Sequence, residues 1–125
     1  MDEEAQAAAA RLVRRLKGGY TVTIAESCTG GLLASTLTDI AGASAWFNQS
    51  WVTYSYEAKI QELDVSRELL EKKGAVSAEV AIQMAQGALA RANADIAISI
   101  TGIAGPCLLY TSDAADEGLG VDLGG

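Results

Sequence analysis

The sequence predicts an α/β fold in which short strands alternate with helices along the chain. Residues 20–25, 51–54 and 96–100 are rich in β-branched and aromatic side chains, a composition typical of strands. Two of these runs pass directly into glycine-containing turns, at 25–31 and 101–106. Because turns at the ends of parallel strands collect on one edge of a layered sheet, we expect the functional site at that edge.

The helical segments follow from apolar spacing and from capping residues. An alanine-rich helical stretch stops at Gly18, and a short helical segment that begins at Ser66 stops at Gly74. The longest begins at Ser77, a typical N-cap residue, with Glu79 in its first turn and apolar residues spaced for one buried face. The predicted helices are residues 5–17, 31–38, 57–63, 66–73 and 77–92.

Composition limits the classes of partner. The 125 residues include nine Lys and Arg against 16 Asp and Glu, and the net charge of −7 leaves no basic patch for nucleic acid or an anionic membrane. The acidic start at residues 1–4 has no signal-peptide pattern and no long apolar span follows, so we expect a cytoplasmic location. A chain of this length is one domain or part of one.

Two residue types limit the chemistry. Histidine is absent, which removes Ser-His-Asp catalysis, Cys-His catalysis and any His-ligated metal site. The two cysteines, Cys28 and Cys107, are too few for a disulfide framework. A serine nucleophile in this chain therefore needs a lysine or a carboxylate as its base.

Residues 107–125 differ in character from the rest of the chain. Their sequence resembles the translation of a transposase-type sequencing adapter in two stretches, 107–117 and 120–125. We therefore interpret residues 1–106 as a partial domain and exclude residues 107–125 from fold reasoning as an artefactual tail. Such a tail is expected to match no surface of the core and to leave the apolar strand at 96–100 incompletely covered. An ordinary polar, glycine-rich tail is the alternative.

The turn AESCTGG puts Ser27 between a strand and a helix, where backbone N–H groups and the helix dipole favour an oxyanion, a phosphate or an alkoxide. The motif alone does not choose among the three. Cys28 is either a second candidate nucleophile or a small buried residue, and Glu26 either fixes the turn or is a solvated carboxylate. The candidates to donate N–H groups to a ligand, or merely to permit the turn, are Thr29, Gly30 and Gly31.

Lys59 is the candidate base, because it follows the strand that carries Tyr54, whereas the other lysines lie in charged segments at helix ends. A lysine can act as a base only when it is neutral, which requires burial or a nearby positive dipole. From spacing alone, a lysine after a strand is more often a surface charge, and Tyr54 is more often an aromatic core or edge residue. Thr101 and Gly102 begin the second glycine turn, which a ligand can approach but which strand-ending loops also use without one.

Six motifs resemble, in this order, the C-terminal domain of the competence/damage-inducible CinA proteins, a family also known as nicotinamide mononucleotide deamidases. The motifs are AESCTGG at 25–31, the segment 39–44, VTYS at 52–55, EAK at 57–59, GAVS at 74–77 and TGIAGP at 101–106. The resemblance implies a three-layer α/β/α sandwich that hydrolyses nicotinamide mononucleotide to nicotinate mononucleotide and ammonia. It implies no metal and no organic cofactor, and the sequence leaves a homodimer open.

The resemblance also implies a serine–lysine mechanism, with Ser27 as nucleophile, Lys59 as base and Tyr54 placed to orient the pair or relay a proton between them. Thr101 matches another active-site position of the family. The residues themselves add Thr29, Gly30, Gly31 and Gly102 as candidate substrate-binding positions. Tyr56 departs from the asparagine usual in the family. The family domain continues beyond TGIAGP with further strands and a final helix, which we expect to be missing here. The rival interpretation is a non-catalytic module that binds a nucleotide or a partner protein.

Overall fold

Among the described residues, five strands form one sheet: β1 (Val22–Glu26), β2 (Phe47–Val52), β3 (Ile96–Gly102), β4 (Cys107–Asp113) and β5 (Leu119–Asp122). The computed structural model describes residues 11–102, 107–113 and 119–122, and the side chains of residues 11–101. The strand order is β2-β1-β3-β4-β5. β1 runs parallel to β2 and β3, whereas β4 and β5 run antiparallel to their neighbours.

Four α-helices lie wholly within the described part of the chain and follow the predicted order: α2 (Leu32–Thr38), α3 (Tyr56–Leu63), α4 (Arg67–Lys73) and α5 (Ala78–Ala92). Helix α1 includes residues 11–17, and residues 5–10 of the predicted first helix lie outside the described part. Three of the helices begin at a serine whose hydroxyl accepts a backbone N–H bond of 3.1–3.2 Å, namely Ser55, Ser66 and Ser77. None of the helices in the described ranges is long and apolar enough to cross a membrane.

The core lies on both faces of the sheet, because successive side chains of a strand point to opposite sides. Val22 and Ile24 of β1 pack with Leu16 of α1 and Leu37 of α2 on one face. On the other face Ala25 packs with buried residues of α3, α4 and α5, including Leu63, Leu70, Val80, Met84 and Ala88. The predicted three-layer α/β/α arrangement is therefore confirmed.

The second strand differs from its prediction, which placed it at residues 51–54. The strand lies earlier, at Phe47–Val52, because its position is set by pairing with β1 at Phe47 and at residues 50–52, on either side of an irregularity at the polar Asn48 and Gln49. The chain leaves the sheet after Val52. The Thr53 N–H donates to the Glu26 carbonyl at 2.8 Å, and the following residues enter α3.

The expectation that the apolar residues of β3 are incompletely covered is wrong. Ile96, Ile98 and Ile100 are all buried, since helices pack on the faces of the sheet and β4 pairs with the outer edge of β3 from Ile96 to Gly102. The expectation that residues 107–125 match no surface of the core is also wrong for β4, which pairs with β3 along its seven residues. The adapter origin of residues 107–125 stays a prediction. The glycine turn at 103–106 lies outside the described residues.

The packing of α5 on α3 gives a stability prediction at Gly87. A Cβ at this position would overlap the Leu63 carbonyl oxygen and lie 2.8 Å from its carbon. Alanine normally favours a helix by about 1 kcal/mol over glycine, but here the backbone of α3 must move. We expect Gly87→Ala to lower the free energy of unfolding by about 1–3 kcal/mol in urea denaturation.

The matched control is Gln86→Ala, on the exposed side of the same helix turn. It is expected to change the free energy of unfolding by no more than about 0.5 kcal/mol. A Gly87→Ala protein as stable as the Gln86→Ala protein would contradict the close approach of α3 and α5.

Candidate active site

Ser27 lies immediately after β1, at the edge where β1, β2 and β3 end together. Glu26, the last residue of β1, is opposite Val52 on one side and Ile100 on the other. The Ser27 N–H then donates to the Ile100 carbonyl at 3.0 Å, which carries the β3 pairing one residue past the strand. The serine is consequently buried and fixed at the predicted edge of the sheet.

Two glycines shape the turn that follows Ser27. Gly30 has φ of 61° and Gly31 has φ of 103°, a left-handed region that residues with a Cβ rarely adopt. The Gly30 N–H donates back to the Ser27 carbonyl at 3.1 Å and closes the turn. This geometry explains the adjacent glycines of the AESCTGG motif.

Lys59 reaches Ser27 from the first half of α3, which begins at the Ser55 cap. The side chain is 0% exposed, and its Nζ lies 2.9 Å from the Ser27 Oγ. Nζ also donates to the carbonyls of Thr53, at 2.7 Å, and Tyr54, at 3.0 Å. All three partners are uncharged oxygens.

Burial lowers the pKa of Lys59 from 10.5 to about 8, because removal from water disfavours the ammonium form. The neutral amine fits the same three contacts. The Nζ donates to the Ser27 Oγ and to both carbonyls, and in the neutral form two N–H groups can keep the bonds to the Thr53 and Tyr54 carbonyls, which leaves the lone pair to accept from the Ser27 hydroxyl. The arrangement can therefore transfer a proton from the Ser27 hydroxyl to Lys59 without another group between them.

Glu26 is a buried structural carboxylate and not a solvated one. Its Oε1 accepts from the Thr29 hydroxyl at 2.6 Å and from the Leu33 N–H at 2.9 Å, and its Oε2 accepts from the Ala34 N–H at 2.9 Å. The carboxylate thus takes two of the N–H groups that the start of α2 leaves without helical partners.

The backbone N–H groups of the other turn residues fall into two classes, those that already donate a hydrogen bond and those that are available to a ligand. The Gly30 N–H is committed to the turn, so it is not available to a ligand in this conformation. The N–H groups of Thr29 and Gly31 donate to no partner among the described residues. They are the two remaining donors beside Ser27 from the predicted set.

Tyr54 is not placed as the sequence led us to expect. Its side chain is 72% exposed, and its contribution to the pair is the backbone carbonyl that accepts from Lys59. A relay between Ser27 and Lys59 is also unnecessary, since the two side chains are in direct contact. The expected relay is therefore not supported by the geometry.

Thr101 lies near the end of β3 and is fully buried, and its hydroxyl donates to the Ala75 carbonyl at 2.9 Å. This bond ties the end of β3 to the GAVS segment. Gly102 is the last residue of β3, one position beyond Thr101. Sequence reasoning missed the Thr53 carbonyl, because no side-chain pattern identifies a main-chain acceptor.

Comparisons with known proteins assign the chain to a family. A family model described as the CinA C-terminal domain matches residues 4–114. The chain belongs to the CinA C-terminal domain family. The CinA match contains both Ser27 and Lys59, and it extends past residue 106 through β4.

Relatives in this family have related names and folds. The chain is 60% identical over 88 residues to the nicotinamide-nucleotide amidohydrolase PncC of Escherichia coli K12, covering 70% of this chain and 53% of that protein. It is 57% identical over 90 residues to a CinA-like protein of Geotalea daltonii, covering 72% and 22% respectively. The crystal structure of a competence/damage inducible protein from Agrobacterium tumefaciens is similar at a TM-score of 0.84 and 40% identity, over 91% of this chain and 76% of that one. The chain thus spans about half, or less, of the length of these curated relatives.

Proposed function

We propose that this chain carries the serine–lysine site of an amidohydrolase that acts on nicotinamide mononucleotide. The observation that supports this most directly is the 2.9 Å contact between the Lys59 Nζ and the Ser27 Oγ at a buried position. The substrate class comes from similarity, since PncC of Escherichia coli is named for a nicotinamide-nucleotide substrate and is 60% identical over the matched residues.

The first half of the reaction forms an acyl-enzyme. Neutral Lys59 takes the proton of the Ser27 hydroxyl while Oγ attacks the carboxamide carbon. The carbonyl oxygen becomes an oxyanion, and the amides of Thr29 and Gly31 are proposed to donate to it. The Lys59 ammonium then gives its proton to the departing nitrogen, the C–N bond breaks, and ammonia leaves.

The second half returns the enzyme to its starting state. Lys59, neutral again, takes a proton from a water molecule as the water oxygen attacks the ester carbon of the acyl-enzyme. The C–O bond to Ser27 breaks and the serine recovers a proton from Lys59. The products are nicotinate mononucleotide and ammonia, and the only co-reactant is water. Thr101 and Gly102, at the end of the neighbouring β3, are proposed to contact the bound nucleotide.

Ammonia release tests this proposal against the rival, a module that binds a nucleotide without cleaving it. The purified chain is incubated with nicotinamide mononucleotide, and both products are followed by a coupled ammonia assay and by proton NMR of the pyridine ring. We expect equal amounts of ammonia and nicotinate mononucleotide. Saturable binding of the nucleotide with no ammonia would favour the binding module and contradict the amidohydrolase.

A further inference from the structure

We propose that Glu26 is a positioning residue that fixes both members of the Ser27–Lys59 pair without touching the reacting atoms. The inference rests on the proposed serine–lysine chemistry and extends it to a residue outside the pair. Two independent sets of hydrogen bonds carry it, one from the Glu26 carboxylate and one from its backbone.

The carboxylate holds the segment that contains the nucleophile. Its three bonds to Thr29, Leu33 and Ala34 tie the end of β1 to the start of α2 across the turn. Because Glu26 directly precedes Ser27, the turn is closed by a side chain at its first residue. The position of the Ser27 Oγ therefore depends on a carboxylate of this length and with two acceptor oxygens.

The backbone of Glu26 holds the base. Its carbonyl accepts from the Thr53 N–H at 2.8 Å, and the Thr53 carbonyl accepts from the Lys59 Nζ at 2.7 Å. Two consecutive hydrogen bonds thus connect Glu26 to the amine. A displacement of residue 26 changes the position of the nucleophile directly and that of the base through Thr53.

The contacts exclude an ion pair between the Glu26 carboxylate and Lys59. They also exclude binding of a substrate anion at the N–H groups that the carboxylate occupies. The Lys59 Nζ bonds go to Ser27 and to two carbonyls, so Glu26 does not pair with the base. The Leu33 and Ala34 N–H groups at the start of α2 are already occupied by Glu26. An anionic part of the substrate therefore binds elsewhere, and the carboxylate acts through geometry.

Glu26→Gln and Glu26→Asp test this role together. Glutamine keeps the length but turns one acceptor into an NH2 group that faces a backbone N–H, whereas aspartate keeps the charge but is one methylene shorter. We expect both to lower kcat by about 100-fold, the loss typical of a misplaced reacting group, with KM within about threefold. The midpoint of the pH–rate profile is expected to stay unchanged, because Glu26 does not contact Lys59. Glu62→Gln, an exposed change of charge, is the control and is expected to be as active as the parent.

Full kcat in either folded Glu26 variant would overturn the inference. This holds whether KM stays the same, KM rises or the midpoint of the pH–rate profile is displaced. If the Glu26 variants do not fold, Thr29→Val removes a single bond to the carboxylate. We then expect a kcat loss that is larger for Thr29→Val than for Thr29→Ser, which keeps the hydroxyl. Equal losses in the two would contradict the inference.

A second readout separates this inference from the proposed substrate. A fluorophosphonate probe labels an activated serine whether or not the natural substrate is known. We expect the parent chain to be labelled at Ser27 and the Glu26 variants to be labelled about 100-fold more slowly. Labelling of the parent without ammonia release would reject the substrate but leave the role of Glu26 measurable, and equal labelling rates in parent and variants would reject that role.

Discussion

Ser27→Ala is expected to lower ammonia release from nicotinamide mononucleotide by about 10⁴-fold or more while nucleotide binding stays nearly the same. The alanine removes the hydroxyl that is proposed to form the acyl-enzyme, and the backbone N–H that fixes the turn to Ile100 is retained. Steady-state ammonia assays measure the first effect. Isothermal titration with the nucleotide measures the second.

The control for this variant is Ser35→Ala, an exposed serine on α2, which is expected to keep the parent activity. Cys28 is the other nucleophile that the sequence leaves open. The Lys59 Nζ lies against the Ser27 Oγ, so the structure favours the serine. An inactive Cys28→Ala protein together with an active Ser27→Ala protein would show that the assignment is wrong.

Much of the fold could be predicted because local signals and tertiary packing agree. The Ser77 cap and the apolar spacing after it predicted α5, and Val80, Ala81, Met84, Ala85 and Ala88 are buried as expected. β2 was placed too late because its position depends on pairing with β1, and Asn48 and Gln49 give no local strand signal. The sequence of one segment alone does not predict its pairing with a strand that is distant in the chain.

The site was also predictable only where its residues leave a local signal in the sequence. Ser27 was identified from its turn, since glycines with left-handed backbone leave a sequence signal. The carbonyls of Thr53 and Tyr54 left none, because every residue has the same main-chain acceptor. For Glu26 the sequence left two roles open, and its burial against the start of α2 decides between them.

The rate of amide hydrolysis is expected to rise with pH through one ionisation with a midpoint near the Lys59 pKa of about 8. Burial lowers this pKa, and only the neutral amine can accept the Ser27 proton, so activity is low below the midpoint and reaches a plateau above it. Measurements of kcat/KM from pH 6 to pH 10 check this prediction. A rate that is flat or falls with pH over this range would contradict the role of Lys59 as a base.

Lys59→Arg is expected to abolish this activity, because a guanidinium stays protonated throughout the accessible pH range and cannot take the serine proton. An active Lys59→Arg enzyme would show that residue 59 supplies positive charge and not a base.

The stability of Lys59→Met relative to the parent tests the lowered pKa of Lys59 without an activity assay. Between about pH 8 and the ordinary lysine value of 10.5, the unfolded chain binds more protons than the folded one, so the contribution of Lys59 to the free energy of unfolding increases with pH. The free energy of unfolding of Lys59→Met relative to the parent, measured in urea denaturation, should therefore be higher at pH 7 than at pH 10. A stability difference between Lys59→Met and the parent that does not change with pH would show that the pKa of Lys59 is not lowered in the fold.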